Sequence, residues 1–243
     1  MVLQINLYHR IAVWLDAMRV RRRGDPEHHL IGNFLSRGET ALDVGANHGV
    51  YTYSMILCGA VVHAIEPNPA LAERLKGARL PRVVVHQAAA GATLGKAELF
   101  VPPGKRGRQN DPAGTLVYHN GVGDRFQVTI ITIDSLNLDN LAFIKIDVEG
   151  YEEEVLKGGW NSIKIFRPHI LVELEESIKF GCRKSIVNML EYLGYSAWYY
   201  DQGDWHLEAN LPENQISLSG RYINNFIFTP GRLPPPLKYL PPR

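Results

Sequence analysis

The sequence predicts a single α/β domain built on a doubly wound, mainly parallel sheet. Three observations predict it. Short apolar runs alternate with helical stretches along the chain. A glycine-rich turn, Gly45-Ala-Asn-His-Gly49, follows the first of these runs. The runs also end in acids: Asp43, Glu66, Asp147 with Glu149, and Glu173 with Glu175. In such sheets ligands bind outside the carboxyl ends of the strands, so these acids mark one crevice. A chain of 243 residues is long enough for one large core. It shows no internal repeat, and residues 1–243 read as one domain. Residues 1–23 form an N-terminal helix in this reading, and residues 230–243 a proline-rich tail.

Ala41-Leu-Asp-Val44 reads as the end of a buried strand. Gly45 to Gly49 then form a tight turn that opens a helix through Val50, Tyr51, Thr52 and Met55. Glycine at 45 and 49 lets the backbone approach a ligand where a Cβ would collide. Asn47 lies between them, and Asp43 at the strand tip suits a ligand carrying positive charge. The spacing Gly45-x-x-x-Gly49 departs from the Gly-x-Gly-x-x-Gly of dinucleotide enzymes, and no Gly-Lys-Ser/Thr pattern follows. S-adenosylmethionine carries an ammonium and a sulfonium but no phosphate, so it fits this acidic turn better than a pyrophosphate does. The competing reading is a strand-to-helix turn with no ligand.

Val61–Ile65 is the second strand and runs into Glu66-Pro-Asn-Pro69. Glu66 lies 23 residues after Asp43. An acid about 20 residues beyond the glycine turn of a βαβ unit accepts bonds from ribose hydroxyls. Pro67 and Pro69 stop the strand, and a helix begins at Ala70–Leu75. Val83–His86 is a third strand, followed by the small-residue run Ala88-Ala-Ala-Gly91.

Ala97–Val101 and Phe126–Ile133 read as a pair of strands that adds an antiparallel hairpin to the sheet. The loop between them, 102–124, carries Lys105, Arg106, Arg108, Tyr118, His119 and Asn120. Those groups suit an acidic or sugar acceptor, and a solvated loop is equally compatible. Phe143–Ile146 is a buried strand whose tip presents Asp147 and Glu149 before Gly150. A helix N-cap would account for Asp147 but not readily for both acids. Tyr151–Gly159 reads as a short helix, and His169–Leu174 as a strand arriving at Glu173 and Glu175. A helix over Ser185–Leu193 and strands at Tyr195–Tyr200 and Tyr222–Phe228 complete the domain.

Lys and Arg number 26 against 25 Asp and Glu, a formal charge of +1. That balance does not suit a nucleic-acid partner, which calls for a basic excess. Cys58 and Cys182 are far apart and lack metal-type spacing. With no signal-peptide pattern and no membrane-length apolar run, they point to a reduced, cytoplasmic chain, with Cys58 as a buried small residue. In the N-terminal helix Leu3, Leu7, Ile11, Trp14, Leu15 and Met18 recur at helical spacing before Arg19 and Arg21–Arg23. Packing against the domain is favoured over contact with an anionic membrane surface, because His9 and Asp16 leave the polar face weakly basic.

Several segments together resemble the FkbM family of S-adenosylmethionine-dependent methyltransferases. They are Asp43-Val-Gly-Ala-Asn-His-Gly49, Glu66-Pro-Asn-Pro69, Thr132-Ile-Asp-Ser-Leu136, Ile144-Lys-Ile-Asp-Val-Glu-Gly-Tyr-Glu152, Val155-Leu-Lys-Gly158, Pro168 to Glu173 and Asn225-Phe-Ile-Phe228. The resemblance implies a Rossmann-like seven-stranded sheet with one antiparallel strand near its edge. It also implies that Asp43, Gly45, Asn47 and Gly49 surround the methionine part of the cofactor while Glu66 binds ribose. Two positions depart from the family pattern. Ala92 stands where members often carry an adenine-reading acid, which passes that role to backbone around Ala89–Gly91. Glu175 stands where members commonly carry histidine.

Methyl transfer to a hydroxyl needs an acceptor lone pair held behind the methyl group and a base for the proton. Asp147 is the first candidate base, with Glu149 and Glu175 next and His48 and His119 weaker. Asp147 and Glu149 also suit the cofactor ammonium, or a Mg²⁺ that orients a sugar diol. The expected activity is O-methylation of a sugar, glycan or natural-product hydroxyl. The alternatives are a macromolecular or lipid-linked acceptor docked through Arg19–Arg23, and a non-catalytic cofactor-binding module.

Overall fold

The computed structural model describes residues 27–103, 114–117, 120–232 and 234–235, together with Ile11, Trp14 and Leu15. Its first elements alternate as the sequence predicts: β1 (Thr40–Val44), α2 (Val50–Leu57), β2 (Val61–Ile65), α3 (Pro69–Ala78) and β3 (Val83–His86), with a short α1 (Glu27–Leu30) ahead of them. Pro69 opens α3, and the Asn68 side chain accepts a hydrogen bond from the Ala70 backbone N–H at 3.0 Å. Proline is preorganised for that first helical position, and asparagine satisfies one of the orphan donors behind it.

The middle of the chain holds β4 (Ala89–Ala90), β5 (Gly95–Val101), β6 (Asp124–Ile131) and β7 (Leu141–Ile146). The one short helix expected after β7 is two, α4 (Glu152–Gly158) and α5 (Trp160–Phe166), which meet at Gly159. Asp134 fixes the second of them by accepting from the backbone N–H groups of Asn161 (3.2 Å) and Ser162 (2.8 Å). Then follow β8 (His169–Glu173), α6 (Cys182–Tyr192), β9 (Tyr195–Asp201), β10 (Asp204–Leu207) and β11 (Asn225–Pro230).

The main sheet has the order β10-β9-β11-β8-β7-β1-β2-β3, eight strands where the resemblance implied seven. The extra strand, β10, folds back on β9 through Gln202 and Gly203, both at positive φ (50° and 92°). That is the backbone twist a two-residue hairpin favours. Pairings from β3 across to β8 are parallel, whereas β11 runs antiparallel to both β8 and β9. The hairpin of β5 and β6 does not extend this sheet. It joins β4 in a separate three-stranded sheet, because Ala89 packs with Leu99, Val101 and Val128 in a small core of their own.

Successive side chains of a strand point to opposite faces, and here both faces of the main sheet are covered. Leu42, Val44, Ile144, Ile146, Ile170, Val172, Phe226 and Phe228 pack on the α4–α6 side. Ala41, Phe143, Leu171 and Ile227 pack on the other side with Leu30, Ile31 and Met55. Two charged residues interrupt that second face: Asp43 and Lys145, each 1% exposed and paired in register on adjacent strands. Cys58 is half-buried and Cys182 buried, both with free thiols.

Candidate active site

Glycine is required at position 45 for a reason the sequence does not disclose. Its φ is +80°, and a Cβ there would lie 1.8 Å from the carbonyl oxygen of Asp147. The missing side chain makes room for the tip of β7 rather than for a ligand. Gly49, also at φ 80°, starts α2. Between them Asn47 sits at φ 48°, a left-handed conformation that asparagine tolerates better than most residues. Its backbone N–H donates to Glu66 Oε2 at 2.7 Å, and Asn68 N–H donates to Glu66 Oε1 at 2.8 Å. Glu66 therefore ties the glycine turn to the end of β2.

Asp43 does not open onto the crevice. Its carboxylate is buried and accepts a hydrogen bond from Thr52 Oγ1, which fixes α2 against β1. Burial pushes the Asp43 carboxyl up to about 6, with the Thr52 bond and the Lys145 charge opposing. Burial likewise pushes Glu66 up to about 7, against the two backbone N–H groups it accepts from. A carboxyl raised from 4.5 to about 7 holds its proton longer in the folded state than in the unfolded one. Its contribution to stability is fully present below about 4.5 and is lost as pH rises through about 7. The thermal midpoint of the unliganded protein should fall with rising pH across that window. Glu66→Gln should flatten the slope, although glutamine leaves one N–H without its acceptor. An equal slope in both proteins would contradict the assignment.

A cavity of about 230 Å³ lies over the ends of β1, β2 and β7. Gly45, Asn47, Glu66, Ala89, Asp147 and Glu149 all line it, so the structure brings these predicted residues together. Asp43 and Gly49 are not part of its lining. Leu71, Leu99 and Leu116 supply an apolar end beside Ala89 and Ala90. Among the described residues none of those lining it is basic, and none would offset the charge of a pyrophosphate. Asn47 Oδ1 is buried without a hydrogen-bond partner, an acceptor available to a ligand. The segment 114–117 closes one side, where Thr115 Oγ1 donates to the Glu149 carbonyl at 2.9 Å.

An acidic recess adjoins this cavity, shares Asp147 and Glu149 with it and adds Glu152, Glu173 and Glu175. Glu149 has φ 53°, an uncommon conformation for a residue with a long side chain. Burial pushes its carboxyl up to about 7, reinforced by the charges of Asp147, Glu152 and Glu175 and opposed by Lys145. Glu175 is held at both oxygens, by Asn224 Nδ2 (3.0 Å) and Ser177 Oγ (3.0 Å). Among the described residues no donor reaches the Glu149 carboxylate. His48 is turned away, 2.7 Å from Arg74. Lys105, Arg106, Arg108, Tyr118 and His119 lie outside the described residues, as does most of the N-terminal helix with Arg19 and Arg21–Arg23.

Lys145 joins the site without being singled out by the sequence motifs. Its ammonium is 3.7 Å from Asp147 Oδ2, 3.8 Å from Glu173 Oε2 and 5.0 Å from the centre of the Tyr51 ring. A lysine inside a strand buried on both faces is rare unless paired, and that was the available signal. Its position also bears on the Mg²⁺ expectation. Among the described residues no group of three or more His, Cys, Asp or Glu side chains is placed to hold a metal. An ammonium already occupies the space between Asp147 and Glu173.

The sequence model of the methyltransferase FkbM domain matches residues 43–201. The chain belongs to the FkbM methyltransferase family. A crystal structure of methyltransferase FkbM from Methylobacillus flagellatus aligns over 88% of this chain and 52% of that one, at 15% identity and a TM-score of 0.52. This chain thus spans about half the length of that FkbM protein, and at this identity the likeness shows the fold alone. A precorrin-6Y C5,15-methyltransferase from Geobacter metallireducens aligns over 84% of this chain and 85% of that one, at 12% identity and a TM-score of 0.44. No curated protein sequence matches the chain. Among the described residues no helix of this FkbM family member is long and apolar enough to cross a membrane.

Proposed function

We propose that this family member is an S-adenosylmethionine-dependent O-methyltransferase acting on a sugar, glycan or natural-product hydroxyl. The observation that carries the reading is the continuity of the two spaces. Among the described residues the cavity has no basic lining and shares Asp147 and Glu149 with a recess where no donor engages the Glu149 carboxylate. S-adenosylmethionine, when bound, supplies an electrophilic methyl group on a sulfonium.

The chain's own residues do the rest. Asn47 Oδ1 and the Asp147 carboxylate offer acceptors to an ammonium, and Glu66 has lone pairs left for ribose hydroxyls. Leu71, Leu99 and Leu116 would give an adenine an apolar surface. Glu149 takes the acceptor proton, since a carboxyl near 7 is matched to that task at neutral pH. Asp147 faces the Lys145 ammonium instead, which ranks it below Glu149 as the base. Among the described residues the recess carries five carboxylates, which favours neutral acceptors over phosphorylated ones.

Calorimetry with S-adenosylmethionine is the first test. Asn47→Gly keeps the left-handed backbone and removes Oδ1. Losing one hydrogen bond to a charged group costs about 1.5–3 kcal/mol, so affinity should fall by roughly 10–100-fold. No binding to the natural chain would refute the cofactor reading, and unchanged binding by Asn47→Gly and Glu66→Ala would remove these residues from the site. Mass spectrometry for the gain of one methyl on candidate glycans then identifies the acceptor.

A further inference from the structure

We propose that Lys145 is a positioning residue for methyl transfer: its ammonium stands between Asp147 and Glu173 and fixes both carboxylates at the strand tips. The proposal rests on the methyltransferase reading above and extends it to a residue with no direct part in the chemistry.

The geometry carries it. Lys145 is the penultimate residue of β7, between Ile144 and Ile146, and is 1% exposed. Every element packed around it presents a group suited to a cation. Asp43 is its register neighbour on β1, and Glu173 approaches from β8 at 3.8 Å. Asp147 approaches from its own strand at 3.7 Å, and Tyr51 of α2 lays its ring 5.0 Å from the ammonium. An all-apolar set of similar volume would have served the fold as well, whereas removing the lysine alone leaves these carboxylates without their counter-charge. Asp147 and Glu173 also line the recess, so holding their side chains in place shapes the surface an acceptor meets. Asn224 Nδ2 completes the arrangement by donating to Glu173 Oε1 at 2.7 Å and to Glu175 Oε1 at 3.0 Å.

Titrations show whether the ammonium's charge reaches the neighbouring carboxyls, and the split between kcat and KM separates a positioning lysine from a purely structural one. The charge of Lys145 acts on Asp43 and Glu149 in the direction that favours their ionised forms. Carboxyl titrations followed by ¹³C NMR on the unliganded protein test this for Lys145→Met, Lys145→Arg and Glu173→Gln. In Lys145→Met the midpoints of Asp43 and Glu149 should rise by about one pH unit, the lower end of what an adjacent charge does. In Lys145→Arg they should stay near the natural values. Glu173→Gln leaves the lysine charge less compensated and should lower both, so this variant decides the matter if Lys145→Met does not fold. In turnover assays Lys145→Met should lower kcat with little change in KM for S-adenosylmethionine, and Lys145→Arg should restore most of it. Unmoved midpoints in a folded Lys145→Met, or in Glu173→Gln, would overturn the proposal. Because the titrations need no cofactor, they decide it separately from a failure to bind S-adenosylmethionine, which would refute the functional reading.

Discussion

Glu149→Gln is expected to lower kcat by roughly 10²–10⁴-fold, the range removed with a general base, while cofactor binding by calorimetry stays close to that of the natural chain. The substitution is nearly isosteric and keeps a left-handed residue ahead of Gly150, so it removes charge and basicity without moving the chain. The free-enzyme profile of kcat/KM should rise through about 7 as Glu149 loses its proton. Burial is the main cause of that value, with the surrounding carboxylates second. A bound sulfonium would favour the ionised form and move the limb of the kcat profile to lower pH. Glu149→Gln should lack this limb. If it turns over at the natural rate, Glu149 is not the base, and Asp147→Asn becomes the informative variant.

Gly45→Ala is expected to be the most damaging of the conservative substitutions. A left-handed alanine costs about 1–2 kcal/mol on its own. Its methyl would also stand 1.8 Å from the Asp147 carbonyl oxygen, and backbone cannot swing aside as a flexible side chain can. We expect a loss of about 3 kcal/mol or more, within the class of changes that strain a special backbone position. For a chain of 243 residues that is a fall of roughly 6–12 °C in thermal midpoint. Because the displaced group belongs to the tip of β7, cofactor affinity should fall with stability. Differential scanning calorimetry with and without S-adenosylmethionine reads both. A midpoint within about 2 °C of the natural protein's would show that the turn relaxes freely.

Much of the site was legible in the residues because strand ends leave a local signature. Apolar runs that stop at Asp43, Glu66, Asp147 and Glu173 place four acids at one edge of a parallel sheet, whatever the packing above them. The turn at Gly45–Gly49, the proline start of α3 and the acids after β7 are each set by neighbours in sequence. The second helix after β7 was not legible, since Gly159 reads equally well as an end and as a junction. Nor was the fate of β5 and β6. An antiparallel pair looks the same in sequence whether it extends a sheet or stands apart, and only the packing of Ala89 against Leu99 and Val128 separates the two.

The sequence by itself determined the α/β class, the FkbM resemblance and the list of acids that could serve a positively charged cofactor. Their roles were decided by tertiary structure. Asp43 and Glu66 have similar local signatures, yet one turns inward to hold Thr52 while the other lines the cavity and anchors Asn47. Glu149 and Glu175 are both tip acids, but only Glu175 meets the hydroxyl of Ser177 and the amide of Asn224. Lys145 is a charge in an otherwise apolar strand, and β8 and α2 bring Glu173 and Tyr51 around it. The physical reason is common to all three. A side chain's chemistry is fixed by its type, but its ionisation and availability depend on burial and on partners that the fold brings from distant parts of the chain.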